Sequence, residues 1–147
     1  MVHLTKSTKP ISEKSINRKW HLIDVKGKIV GRIAPYISSL LQGKGKVNYA
    51  PYLDAGDYVV VVNSALVKFT GKKLQDKVYS RYSGYPDGLK KATAEEVLRR
   101  NPNRIIKEAV SGMLPKNKLR DRRLARLFIS PNESHPYQHK LQANIKN

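Results

Sequence analysis

Five of the nine residues from Pro115 to Arg123 are lysine or arginine: Lys116, Lys118, Arg120, Arg122 and Arg123. Asp121 is the only acid among them, and from Arg99 to Arg126 ten cations face two acids, Glu108 and Asp121. A solvated helix face normally intersperses acids with its cations, because like charges one turn apart repel. Cations left unpaired at this density are suited to a polyanion, whose phosphates relieve the repulsion. Lys72, Lys73, Lys77 and Arg81 form a second basic set, interleaved with Tyr79, Tyr82 and Tyr85. Tyrosines beside arginines can stack on unpaired bases or line a sugar edge, whereas packing in the core is the competing use for at least one of them.

Other chemistries fail on spacing. At Gly45-Lys46 a phosphate-binding P-loop would need a glycine at position 40 and a hydroxyl at position 47, which are Leu40 and Val47. Gly27 and Gly31 are spaced G-x-x-x-G, which breaks the dinucleotide fingerprint. His135 and His139 are four apart, but the prolines at 131 and 136 argue against a continuous helix presenting them to a metal. Ser111-Gly112 lacks the G-x-S-x-G of a nucleophile elbow. The acids are scattered, and Asp54 and Asp57, flanking Gly56, suit a loop role better than acid–base catalysis. No cofactor, metal, small-molecule substrate or enzymatic activity is expected.

The whole composition agrees. Across 147 residues, 29 Lys and Arg stand against 11 Asp and Glu, a net charge of +18, while 39% hydrophobic residues can build one core. Without cysteine there is no disulfide and no thiolate zinc site. The longest apolar run, Tyr58 to Val62, is strand-length and far short of a membrane span, so no membrane insertion is expected. Residues Met1 to Ser12 carry Ser, Thr and Lys without acids, but have no arginine and no apolar stretch, so they read as no secretory signal.

The elements that must position these cations read as one α/β domain. Residues 1–18 are an extended basic arm, 19–130 the folded domain and 131–147 a C-terminal tail with Pro131, Pro136 and little period. Trp20 to Val25 opens the domain as a strand. Ile33, Ile37, Leu40 and Leu41 mark one face of a helix ended by Gly43, with Pro35 expected in its first turn. The valines of Asp57–Asn63 lack polar alternation, as in a parallel strand buried on both faces. Leu66 to Phe69 reads as a short strand, and Lys77 to Tyr82 as a strand-like segment ending in the turn Gly84 to Gly88. Thr93 and Glu96 form a capping box, Asn101-Pro102 starts a second helix with the stripe Ile105, Ile106, Ala109, Val110 and Met113, and a short helix over Lys118 to Arg126 precedes a strand at Leu127 to Ile129.

Several segments in order carry a resemblance. Trp20-His21-Leu22-Ile23-Asp24, Gly31-Arg32-Ile33-Ala34, Leu41-Gln42-Gly43-Lys44, Gly56 to Asn63, Thr70 to Lys73, Ser83 to Lys90 and above all Ala109 to Asn117, then Arg126-Leu127 and His135-Pro136, resemble the universal large-subunit ribosomal protein L13 family over roughly residues 19 to 140. The resemblance implies a three-layer α/β/α fold with a mainly parallel sheet. It also implies a structural role in the large ribosomal subunit, against ribosomal RNA and neighbouring ribosomal proteins, during assembly and in support of translation. The expected RNA-contact residues are Lys116, Asn117, Lys118, Arg120, Arg122, Arg123 and Arg126, with Arg32, Lys44, Lys46, Lys72, Lys73, Arg81, Tyr82, Lys90 and His135. Departures occur at Ala34-Pro35-Tyr36, Leu119 to Arg122 and Ile129 to Asn132. They suggest an organellar lineage and the mitochondrial matrix, with a bacterial cytoplasm as the alternative. The arm and tail are expected to become ordered only on assembly.

Overall fold

A computed structural model describes residues 11–13 and 16–145. Most of the arm expected over residues 1–18 lies outside the described residues.

A parallel sheet organises the rest. Its strands are β1 (Trp20–Asp24), β2 (Tyr58–Val62) and β5 (Leu127–Ile129), in the order β1-β2-β5. Trp20 stands beside Tyr58 and Val59 beside Leu127, so β2 is central and parallel to both neighbours. Its four valines are all buried, as a central parallel strand covered on both faces requires. Val59 and Val61 enter the main core with Ile37, Leu41, Ile105 and Val110, contributed by α1 (Val30–Gln42) and α4 (Pro102–Met113).

Val60 and Val62 alternate to the opposite face. There Trp20 stacks on Tyr58 with ring centroids 4.4 Å apart, and Phe128 lies 5.7 Å from Trp20. The segment after Ser130 completes this layer and carries more structure than its sequence period announces. Tyr137 stacks against Trp20 and meets Phe128 at a tilt, the Lys140 ammonium sits 5.0 Å from the Trp20 ring centroid, and α6 (Gln138–Ile145) packs on β1. Two prolines dilute the pattern, but Pro136 precedes the helix and leaves its hydrogen bonds intact.

Outside the sheet, α2 (Lys73–Asp76) leads into the antiparallel hairpin β3 (Val78–Tyr82) and β4 (Leu89–Thr93). The sequence hides β4, because Leu89-Lys90-Lys91-Ala92-Thr93 has no apolar alternation; the turn closed by Ser83 N–H to Gly88 C=O sets its pairing. The strand expected over Leu66 to Phe69 reduces to a 3-10 turn, Ser64–Leu66, and a single parallel bridge from Ile29 to Lys68.

Thr93 caps α3 (Ala94–Arg100). Its hydroxyl accepts the Glu96 N–H at 3.3 Å, and the Glu96 carboxylate accepts the Thr93 N–H at 3.3 Å. Thr93→Ala is expected to cost about 1 kcal/mol in a urea melt, the usual worth of such a cap. Pro102 occupies the first turn of α4 as expected, whereas Asn101 makes no side-chain cap bond. Pro35 lies deeper in α1 than expected, beyond the first turn but on its exposed side, where the acceptor left unpaired by the missing N–H can meet water. Two buried polar residues join α1 to α4: Gln42 donates to the Ser38 hydroxyl, which donates to the carbonyl of Met113 at the end of α4.

Candidate nucleic-acid interface

Leu114 leaves α4 in extended geometry, the conformation that the following Pro115 favours for the residue before it. The connector to α5 (Leu119–Leu124) therefore projects Lys116, Asn117 and Lys118 into solvent. Asn117 also shapes the connector, since its side-chain oxygen accepts the Leu119 N–H at 3.2 Å. Arg122 on α5 is exposed. Arg120 is half-buried and donates to the Ser111 hydroxyl, with its Nε lacking a partner among the described residues.

Arg123 and Arg126 depart from their expected role as surface contacts. They are 1% and 8% exposed, because both turn inward to Asp54, itself 5% exposed. Arg126 grips that carboxylate with both terminal nitrogens, at 2.6 and 2.5 Å, and Arg123 Nε lies 3.6 Å from it. Burial alone would raise the Asp54 pKa. The bonded Arg126, with the positive charge of Arg123 and Arg18, overcomes that and holds it below the usual value.

Asp54 is fixed by unusually close backbone packing. A Cβ at Gly56 would overlap the carbonyl oxygen of Leu41, and one at Gly43 would come within 2.7 Å of the Ala55 carbonyl oxygen. Gly43 also takes the left-handed conformation that ends α1 (φ 75°). The same loop aims Asp57 the other way, where it accepts from the backbone N–H of Lys19 at 2.9 Å, contacts His21 Nε2 at 3.0 Å and accepts from the Lys46 ammonium at 2.5 Å.

Lys46, another expected RNA contact, is likewise engaged within the protein. Its side chain is 23% exposed, and its ammonium also donates to the carbonyls of Asn17 and Ala55, so its three donors are spent inside the protein. Lys46→Met is expected to lower stability by about 1.5–3 kcal/mol, the range for hydrogen bonds to charged groups, with little change in the salt dependence of RNA binding. Chemical denaturation and binding titrations of the same variant separate the two effects.

The other basic set does reach the surface. Lys72 and Lys73 are exposed at the start of α2, Arg32 on α1 and Lys44 just after Gly43. On the hairpin Arg81 pairs directly with Lys90, and Ser80 with Lys91. Like charges opposite one another weaken a strand pair, so an anion between them would be stabilising. Tyr82 is exposed and free to stack, while Tyr79 is half-buried against the core. His135 is half-buried, and its Nδ1 accepts the Tyr137 N–H at 3.2 Å, a bond that shapes the turn before α6.

The resulting arrangement is a packed α/β body displaying cations on loops, a hairpin and one short helix. The model of the family described as Ribosomal protein L13 matches residues 18–136. The chain belongs to that family. Among curated relatives, the large ribosomal subunit protein uL13 of Staphylococcus haemolyticus (strain JCSC1435) is 42% identical over 126 residues, covering 86% of this chain and 87% of the relative. The protein of the same name from Staphylococcus aureus (strain JH9) is 44% identical over the same shares. The family is one of ribosomal structural proteins and not of enzymes, in agreement with the failed catalytic spacings. Among the described residues no helix is long and apolar enough to cross a membrane.

Proposed function

We propose that this protein is a structural constituent of the large ribosomal subunit that binds and organises large-subunit ribosomal RNA beside neighbouring ribosomal proteins, in support of translation. The observation that carries this reading is membership of the L13 family by a chain whose surface cations are set around a packed α/β core. Lys116, Lys118 and Arg122 on one connector and helix, with Arg32, Lys44, Lys72, Lys73, Arg81 and Lys90 elsewhere, contact phosphates of different RNA segments. Holding those phosphates at set spacings neutralises their repulsion and favours one compact RNA arrangement. Specificity comes from RNA shape, 2′-hydroxyls and a base stacked on Tyr82, since side chains do not read the deep A-form groove.

Cosedimentation with large subunits tests the placement directly. Competition between large-subunit ribosomal RNA and duplex DNA at physiological salt tests the mechanism: a strong RNA preference is expected, and equal competition would instead indicate a general DNA-compacting protein. The compartment has two readings. The bacterial relatives support a bacterial cytoplasm, whereas the departures at Pro35, Leu119–Arg122 and Ile129–Asn132 support an organellar ribosome in the mitochondrial matrix. Fractionation of source cells, followed by detection of the chain, decides between them.

A further inference from the structure

The buried arginines leave a charge excess that the protein does not itself resolve. Asp54 is the one carboxylate within ion-pair distance of both Arg123 and Arg126 among the described residues. Nε and Nη2 of Arg123 and Nε of Arg126 are buried without a hydrogen-bond partner there. A guanidinium removed from water without a full set of acceptors is costly, and positive potential persists where the local dielectric is low. A cleft of about 540 Å³ opens beside them, lined by the cations Arg18, Arg122 and Arg126, the acids Asp54 and Glu13, and Tyr58 and Ala125, so that with Arg123 behind its wall four cations face two acids. Arg122 and Arg126 are four residues apart and share this wall. Arg18 enters from the other side, exposed, with one terminal nitrogen 3.2 Å from the Asp54 carbonyl oxygen.

We propose that this cleft is a phosphate-binding site for a single backbone phosphodiester of RNA. The proposal rests on the ribosomal reading and deepens it by assigning one contact to one place. Arg122 and Arg18 supply the donors, because their side chains are exposed. Arg126 and Arg123 supply charge from behind the Asp54 carboxylate, which gives the two buried arginines a binding role through the field they create and not through contact. Glu13 on the rim opposes a second phosphate, so the site takes one anionic group. Arginine suits this position because its planar fork meets two phosphate oxygens at once, which an ammonium does not. The shared ligand chemistry, a phosphate, could also come from a free nucleotide, and the experiment separates the two.

Affinity of the full chain for large-subunit ribosomal RNA is measured across a salt series for the unaltered protein, Arg18→Gln, Arg122→Gln and the double variant. Lys72→Gln, Lys116→Gln and their double serve as the reference for two independent contacts, and thermal melts confirm that each variant is folded. Each cleft variant is expected to weaken binding about tenfold, near the worth of one charge-assisted hydrogen bond. The double should fall well short of the product of the singles, because both arginines grip the same phosphate, while the reference pair should multiply. The double should also lower the salt slope by about one unit. In the second arm, inorganic pyrophosphate and ATP are titrated into the protein without RNA, and no saturable micromolar binding is expected.

Unchanged RNA affinity in folded cleft variants, or a double that multiplies as the reference pair does, overturns the cleft while leaving the ribosomal reading intact. Saturable micromolar ATP binding abolished by Arg122→Gln overturns the RNA-backbone assignment in favour of a nucleotide site. Failure of the unaltered protein to bind ribosomal RNA overturns the ribosomal reading itself.

Discussion

Raising the salt from 50 to 200 mM is expected to weaken binding to large-subunit ribosomal RNA by about 10³- to 10⁵-fold, the loss for roughly six to ten neutralised phosphates. The estimate depends on which cations reach solvent. Net charge alone would have allowed many more contacts, but Lys46, Arg123 and Arg126 turn inward to Asp57 and Asp54 and touch no phosphate directly. Of the expected contact cations, Arg32, Lys44, Lys72, Lys73, Arg81, Lys90, Lys116, Lys118 and Arg122 remain exposed, which places the phosphate count inside that range. Each exposed cation that serves a phosphate of its own, when neutralised, should lower the slope of log K against log salt by about one unit, whereas Arg18 and Arg122 share one unit between them. A binding constant nearly flat across this salt range would sink the mechanism, because counterion release is unavoidable when phosphates are neutralised.

The inward arginines show where sequence reading stops. A run of cations does not state which of its members turn inside, and the partner carboxylate lies 72 residues away from Arg126. A signal was nevertheless present. Leu119, Arg123 and Arg126 follow i, i+4 and i+7, the spacing of an inward stripe, and the structure half-buries Leu119 and fully buries Arg123 on α5, with Arg126 just beyond its end. Asp54-Ala55-Gly56-Asp57 was the other half: two acids around small residues, just before a strand buried on both faces. Their loop role was legible, but not their partners, because pairing across the fold depends on how α1 and β2 approach each other at Gly43 and Gly56. By contrast, β2 and the Thr93 cap were legible because each rests on a local pattern that burial or a single turn enforces. The strand β4 and the helix α6 were not, since the hairpin turn and the aromatic face of the sheet hold them by contacts that leave little periodicity.

Asp54→Ala should then be among the most damaging single changes in this chain. It strands two guanidiniums in the interior, and breaking a buried pair by removing one partner costs about 3–5 kcal/mol. Against the roughly 5–15 kcal/mol that holds a typical domain together, such a loss should be plain in urea melts at neutral pH. The pH dependence has a definite sign. Asp54 and Asp57 both have folded-state pKa values below the usual one: burial opposes this, but Arg126 with Arg123 and Arg18 outweighs it at Asp54, and His21, Lys46 and the Lys19 amide outweigh it at Asp57. Their stabilisation is therefore fully present above the ordinary aspartate pKa of about 4, and is lost as the pH falls below it through the folded values. Asp54→Asn keeps the shape and part of the hydrogen bonding but removes the charge, so its stability should depend less steeply on pH in that acid window. Replacing the whole cluster, with Asp54→Leu, Arg123→Met and Arg126→Met together, should recover much of what Asp54→Ala loses, because no buried charge is left alone. If the triple variant regains stability and still binds ribosomal RNA as tightly as the unaltered chain, the two arginines serve neither the fold nor the ligand uniquely; weaker binding by a stable triple variant would mean their buried charge is felt by the RNA.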